Sequence, residues 1–379
     1  MQKIAYFGHD VSDAAVRRRI AALKQDGLDV LGFTKRRADA SDPEWINIDL
    51  GQTHDGAFLQ RVLSVFSGAF RAWRERDKLQ DADVIIARNL DMLASALMAN
   101  RFSNAKLPVI YECLDVHRLM CRDDFIGGTL RRLEGWMMSK TRGLILSSPA
   151  FLSEYFEKYH GPQKRVKLVE NRIVQGLVTR PPSNAETVSA MNMSGPLRLG
   201  WVGILRCHRS LDIICSLAER FPQRLAIELH GIPAHTEVPD FEQRIAGHKN
   251  IAFHGRYKSP EDLEKIYNSL DVVWSIDFME AGQNSVWLLP NRIYEGGLFS
   301  VPSVALEGTQ TARWLSDKGV GLIVQEPLKE TAAQLLTDLF EDRQAVHDKQ
   351  AAFSKLADET FIEPAGFIRA AIEELLSSP

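Results

Sequence analysis

Lys3–Phe33 reads KIAYFGHDVSDAAVRRRIAALKQDGLDVLGF. Lys3–Gly8 is a short apolar run closed by glycine, as a buried strand gives. A helical stretch follows in which Val16, Ile20 and Leu23 share one face. Ser12 is its expected N-cap, and Gly27 ends it. Leu28–Phe33 then returns as a strand. Strand, helix and strand within about 30 residues form a βαβ unit, which predicts an α/β fold with a parallel sheet.

The same alternation runs outward from this unit. Strands are expected at 84–87, 109–112, 144–146 and 166–169, with helices near 57–79, 90–102, 126–141 and 150–159. At 179–196 the pattern lapses into TRPPSNAETVSAMNMSGP, whose prolines and small polar residues read as a linker. It restarts with a strand at 197–202 and a helix near 209–221. Further strands are expected at 225–230, 251–254, 271–275, 302–305 and 320–324, and 343–377 reads as helical. The organisation expected is a first doubly wound domain over 1–178, a linker over 179–196, a second over 197–356, and a C-terminal segment over 357–379. Strands alternating with helices imply sheets covered on both faces. Two Rossmann-like domains would meet at a central cleft at the carboxyl ends of both sheets.

The 379 residues suffice for two such cores. The net charge of −3 is unevenly spread: residues 1–178 carry 27 Lys and Arg against 22 Asp and Glu, and the rest is acidic. A basic first half suits an anionic partner. Cys113, Cys121, Cys207 and Cys215 form no CxxC pair, so reduced thiols are expected and no zinc site. The opening MQKIAYFGHD lacks a signal-peptide pattern, and no run of about 18 apolar residues marks a membrane span. Neither GxGxxG nor GxxxxGK[ST] occurs, which argues against a dinucleotide enzyme and a P-loop kinase.

Three segments carry chemistry. In Leu288–Glu307, LLPNRIYEGGLFSVPSVALE, Pro290 suits the first turn of a helix. That helix start would direct backbone N–H groups, Asn291 and Arg292 at a phosphate. Glu295, one turn on, could accept bonds from ribose hydroxyls. In WVGILRCHRSLDII (201–214), a strand ends at Gly203, and Arg206 and Arg209 precede a helix. Two fixed cations there can stabilise a departing diphosphate without a metal. In HGRYKSPEDLEKIYNSLDVVWSID (254–277), Ser259-Pro260 should open a helix burying Leu263, Ile266 and Tyr267. In the first domain, His9 and Asp10 end one strand, and Glu112, Asp115 and His117 follow another. His or Asp at such a place can take the proton from an attacking hydroxyl. A lone histidine is more often structural.

LPNRIYEGGLFSVPSVA resembles the donor-site segment of GT-B glycosyltransferases, P-N-K-x-x-E followed by G-x-P-V-V. The likeness is to the GT4 family, and within it the opening 34 residues look like bacterial exopolysaccharide transferases, the succinoglycan ExoL type among them. The resemblance implies a GT-B fold whose C-terminal helix, 360–377, crosses back onto the first domain. It implies a metal-independent hexosyltransferase with a nucleotide-sugar donor, UDP-glucose in the closer match, and no separate cofactor. The acceptor implied is an oligosaccharide or polysaccharide, carried on polyprenyl diphosphate, at the cytosolic face of the membrane. Glu295 takes the position of the ribose-gripping glutamate. Gly203, Arg206 and Arg209 take the donor-diphosphate loop, and Arg256 lies near the nucleobase. His117 resembles the histidine that contacts the donor sugar in retaining members, and Asp115, His117, His9 and Asp10 are the catalytic candidates.

One position departs from the pattern. Many GT4 members carry a second glutamate eight residues before the first, where this chain has Trp287. Asn284 and Ser285 could replace its hydrogen bonds, and the sugar and stereochemistry are left open. An isomerase such as a nucleotide-sugar 2-epimerase would convert donor without acceptor. A non-catalytic member would bind nucleotide without turnover. A basic amphipathic helix over 61–79, with Phe66, Phe70 and Trp73 on its stripe, could lie on an anionic bilayer, and 131–142 gives a weaker signal of that kind. A pI near 6.4 and the lack of a basic-aromatic cluster argue against nucleic acid.

Overall fold

Seven strands, all parallel, build the first sheet: β1 (Lys3–Gly8), β2 (Asp29–Arg36), β3 (Asn47–Gln52), β4 (Val84–Arg88), β5 (Val109–Cys113), β6 (Gly143–Leu146) and β7 (Val166–Leu168). Their spatial order is β3-β2-β1-β4-β5-β6-β7. The central strands are buried along their whole length, as expected of a sheet covered on both faces. The computed structural model describes residues 1–37, 42–52, 67–181, 195–279 and 282–377. Its chain divides into two units, Met1–Val174 together with Pro364–Pro379, and Gln175–Glu363.

In the first unit, Val16, Ile20 and Leu23 of the helix Ala14–Gln25 pack on Ile4, Tyr6 and Ile86 of the sheet. Asp13, not Ser12, caps this helix: its carboxylate accepts from the N–H groups of Ala15 and Val16 at 2.9 and 3.0 Å. Ser12 instead bonds back to Asp10. A short strand, β8 (Ile173–Val174), follows β7. The terminal helix Phe367–Ser377 joins the same core through Ile368, Ile372 and Leu375. Its start is tied to the end of the first helix, where Asp26 accepts from the N–H groups of Gly366 and Arg369.

The second sheet has six parallel strands: β9 (Leu197–Leu205), β10 (Leu225–Pro233), β11 (Ile251–Gly255), β12 (Val272–Trp274), β13 (Ser303–Leu306) and β14 (Leu322–Val324). Their order is β11-β10-β9-β12-β13-β14. Leu211, Ile214 and Leu217 from the helix His208–Arg220 pack with Leu199, Trp201, Ile227 and Leu229 of the sheet.

Several elements differ from expectation. β3 has no counterpart in the sequence reading, because Asp49 and Gly51 interrupt its apolar pattern. The tail 343–377 is not one helix: Gln344–Ser354 and Phe367–Ser377 are separated by a 3-10 turn and the strand β15 (Ile362–Glu363), and Pro364 and Gly366 stop any continuation. The helix after Ser259-Pro260 opens only at Leu263. Residues 67–74 are helical, but Arg76–Asp81 is a 3-10 turn, so the basic end of the 61–79 stripe is not α-helical; 53–66 lie outside the described residues. Most of the expected linker, 182–194, also lies outside them.

Candidate functional site

In the second sheet, β9 and β12 are neighbours, with β10 beyond one and β13 beyond the other. Connections leave this point in opposite directions, which makes the carboxyl ends of β9 and β12 the switch point at which open α/β sheets take their ligands. Buried polar contacts join the two ends. The Cys207 sulfur accepts from the N–H groups of Ser210 and Phe278 at 3.3 and 3.2 Å. The Ser210 hydroxyl donates to the Ile276 carbonyl at 3.0 Å and accepts from the Trp274 indole at 3.1 Å.

Three guanidinium groups gather on the short segment Trp274–Phe278. Arg206 Nε lies 3.3 Å from Asp277. Arg209 stacks over the Phe278 ring, 4.1 Å from its centroid, and makes a forked contact to Glu326 at 2.7 and 2.8 Å. Arg292 reaches from another helix to donate to the Trp274 carbonyl at 3.1 Å. Gly203 supports this loop in a left-handed conformation, φ 120°. Gly231 on β10 comes so close to it that an added Cβ would sit 1.7 Å from the Gly203 carbonyl oxygen.

Pro290 is the N-cap residue of the helix Asn291–Leu298, and its own side chain makes no capping hydrogen bond. Asn291 is half-buried at that start. Glu295 is deeper, only 2% exposed, and its carboxylate accepts from the Tyr267 hydroxyl at 2.8 Å. Burial pushes the Tyr267 phenol well up, and the adjacent Glu295 adds to this, so Tyr267 stays a donor. Asn284 and Ser285 are buried on the turn Asn284–Trp287. The next residue, Leu288, offers its carbonyl to the Thr311 hydroxyl at 3.1 Å. Arg256 is exposed beyond the end of β11. The structure therefore brings Gly203, Arg206, Arg209 and Arg292 to one switch point, and sets Glu295 behind the helix start on a tyrosine.

The first sheet has its own switch point, between β1 and β4. His9 and Asp10 follow β1 directly. His9 Nε2 lies 3.8 Å from Asp13, and its Nδ1 is buried with no hydrogen-bond partner among the described residues. Burial alone would pull the His9 imidazole down, but Asp13 outweighs it and the net direction is up. Asp13 is correspondingly held well below the usual carboxylate range; burial opposes this, and His9 and Arg88 more than offset it. Asp10 is nearly buried, paired with Arg37 at 2.9 Å and bonded by Ser12. Asp115 and His117 follow β5, one strand beyond this point. Both are exposed, and His117 Nδ1 accepts from the Leu119 N–H at 3.3 Å to cap a 3-10 turn.

Glu112, in the same sequence stretch, has a structural part. It is buried between Arg19 at 2.7 Å and Arg88 at 2.9 and 3.0 Å. Burial would raise its carboxyl, but the two guanidinium groups hold it down to about 2. Sequence reasoning gave Tyr267 a packing part only and did not single out Asp13, Asp277 or Glu326. All four act as partners of candidate residues, and only Asp13, four residues from His9, left a local signal.

No protein-family model matches the chain. It is 39% identical over 342 residues to succinoglycan biosynthesis protein ExoL of Rhizobium meliloti, an alignment that covers 89% of this chain and 85% of the relative. Among solved structures, Anabaena HepE, crystallised with UDP and glucose, superposes with a TM-score of 0.74 over 100% of both chains at 17% identity. Sucrose-phosphate synthase from Thermosynechococcus elongatus gives 0.73 over 98% of this chain and 97% of its own, at 13% identity. The fold is thus the GT-B fold of the glycosyltransferases, as the repeated parallel sheets and the segment after Pro290 had implied. With most of both sequences aligned at that identity, the chain belongs to the family of the succinoglycan biosynthesis protein ExoL.

Proposed function

We propose that this chain is a hexosyltransferase of exopolysaccharide biosynthesis that moves a sugar from a nucleotide-sugar, a UDP-sugar, to an oligosaccharide acceptor. The observation that carries this reading is the convergence of Arg206, Arg209 and Arg292 on Trp274–Phe278. Fixed cations stabilise the charge that grows on a leaving diphosphate, and they do so without reorganising. Membership in the ExoL family supplies the polysaccharide context, and HepE, of the same fold, was crystallised with UDP.

In this reading Glu295 accepts from the ribose hydroxyls, Asn291 and Ser285 orient the diphosphate and sugar, Asn284 supports them, and Arg256 borders the base. The first unit takes the acceptor. Its best base is His9, a half-buried imidazole whose Nε2 lies 3.8 Å from Asp13. Asp10 is engaged by Arg37, and Asp115 and His117 are solvent-facing, which suits acceptor contact more than proton transfer.

A polyprenyl-diphosphate-linked acceptor would place the enzyme at the inner face of the cytoplasmic membrane. No described helix is long and apolar enough to cross a bilayer. Support for surface contact comes from the helix Phe125–Met138, where Phe125 and Trp136 are 83% and 59% exposed and Ile126 and Leu133 lie open beside them. Arg122, Arg132 and Lys140 are exposed around these residues and suit anionic headgroups.

The test is transfer of labelled glucose from UDP-glucose to lipid extracted from a polysaccharide-producing strain. Label entering the lipid fraction supports the assignment. Donor converted without acceptor would turn the reading to an isomerase, and nucleotide binding without turnover across UDP-, GDP- and dTDP-sugars would end it.

A further inference from the structure

Glu228, His230 and His254 stand on one face at the open edge of the second sheet. Glu228 and His230 alternate along β10, so their side chains share a face. β11 is the edge strand, and its register to β10 slips beside them: Leu229 pairs with Phe253, but His230 pairs with Gly255. His254 is the residue left over in this irregularity, and such a slip re-aims a side chain. Its imidazole lies against that of His230, centroids 4.3 Å apart and planes 9° from parallel. His254 Nε2 is 2.5 Å from the Glu228 carboxylate. One ligand atom from each of the three residues falls within 4.8 Å of the others.

We propose that these three residues form a site for one divalent transition-metal ion of the zinc type, which would fasten β11 to β10. Two imidazole nitrogens and one carboxylate oxygen are a donor set that zinc accepts, with a fourth position left for water. A hard cation such as magnesium prefers an all-oxygen set. His230 Nε2 is buried and has no hydrogen-bond partner among the described residues, so it holds a lone pair or an N–H with nothing to meet. Zinc–nitrogen bonds of about 2.0–2.1 Å in a tetrahedron ask the ligand atoms to sit a little over 3 Å apart, and because an imidazole lone pair lies in the ring plane, the exposed His254 ring must turn out of its stack on His230 to ligate.

The proposal uses none of Arg206, Arg209 and Arg292, although His254 lies two residues from Arg256, and Zn2+ binding is read separately from nucleotide binding, so the two stand or fall separately. The test uses the full, untagged chain stripped with a chelator and titrated with Zn2+, with Mg2+ as control. One Zn2+ should bind and raise the melting temperature, and Mg2+ should not. His230→Ala and His254→Ala should each weaken Zn2+ binding by at least about tenfold and abolish the rise in melting temperature. Co2+ should give the visible absorption of a low-symmetry nitrogen-oxygen site in the wild type and lose it in Glu228→Gln, a variant that keeps the packing. Absence of Zn2+ binding, or Zn2+ binding unchanged in all three variants, would overturn the proposal.

Discussion

In the proposed reading His9 is the base, which ties its local geometry to a rate. A base must be neutral to accept the acceptor's proton, and the His9 pKa lies above its ordinary 6.5 because Asp13 outweighs burial. Transfer should therefore rise with pH through a value above 6.5, and Asp13→Asn should move that limb to lower pH; pH–rate profiles of the two proteins measure it. The same pair carries a stability term of opposite trend. The raised His9 contributes stability that is complete below pH 6.5 and lost as pH rises through its folded pKa, whereas the lowered Asp13 contributes above pH 3.8 and loses its share as pH falls. His9→Gln should cut turnover by about 10²–10⁴-fold while leaving UDP affinity in place. On the donor side, Glu295→Ala should weaken UDP binding sharply. Tyr267→Phe, which removes only the hydroxyl that holds the carboxylate, should weaken it less, by about 1 kcal/mol, as titrations of both variants would read.

At the scale of elements, the close approach of β9 and β10 has a measurable consequence. Gly231 has φ 142° and no room for a Cβ, with the Gly203 carbonyl oxygen in its place. Gly231→Ala should destabilise the second unit by about 3 kcal/mol or more and displace the Gly203–Arg206 loop with it, seen as a lower denaturation midpoint and weaker nucleotide binding. This close contact was not legible in the sequence. HGIP reads simply as the end of a strand, and only pairing against β9 shows which glycine is obligatory. The strands that were legible are those buried on both faces, such as VIIAR and VIYEC, where an unbroken apolar run suffices. β3 was not, because an edge strand with one buried face can hold Asp49 and Gly51. The arginines proposed for the donor, Arg206 and Arg209, could be singled out by position after the first strand of the repeat. Their counterions, Asp277 and Glu326, lie 71 and 117 residues away in sequence, and nothing local marks them.

At the scale of the whole molecule, the chain leaves the first unit at Val174 and returns to it at Pro364. The returning helix is part of that unit's core: Ile368, Ile372 and Leu375 are almost wholly buried against it. Burial of each such side chain is worth roughly 1.5–3 kcal/mol, so three approach the stability of a typical domain. A chain ending at Glu363 should therefore fail to give a folded first unit, seen as loss of its cooperative transition, and Ile372→Ala alone should cost about 2–5 kcal/mol. The sequence read 343–377 as helical throughout and the family resemblance implied a helix over 360–377, whereas its anchor, Asp26 on the N–H groups of Gly366 and Arg369, depends on contacts across some 340 residues.

Everything in the functional reading rests on the second unit gripping a nucleoside diphosphate with guanidinium groups held on Trp274–Phe278. Calorimetric titration of UDP into the wild-type protein and into the Arg206→Ala, Arg209→Ala double variant tests this most directly. A charge-assisted hydrogen bond is worth about 1.5–3 kcal/mol, so removing two should weaken UDP binding roughly a hundredfold or more, with the circular dichroism spectrum unchanged. A folded double variant that binds UDP as tightly as the wild type would contradict the account.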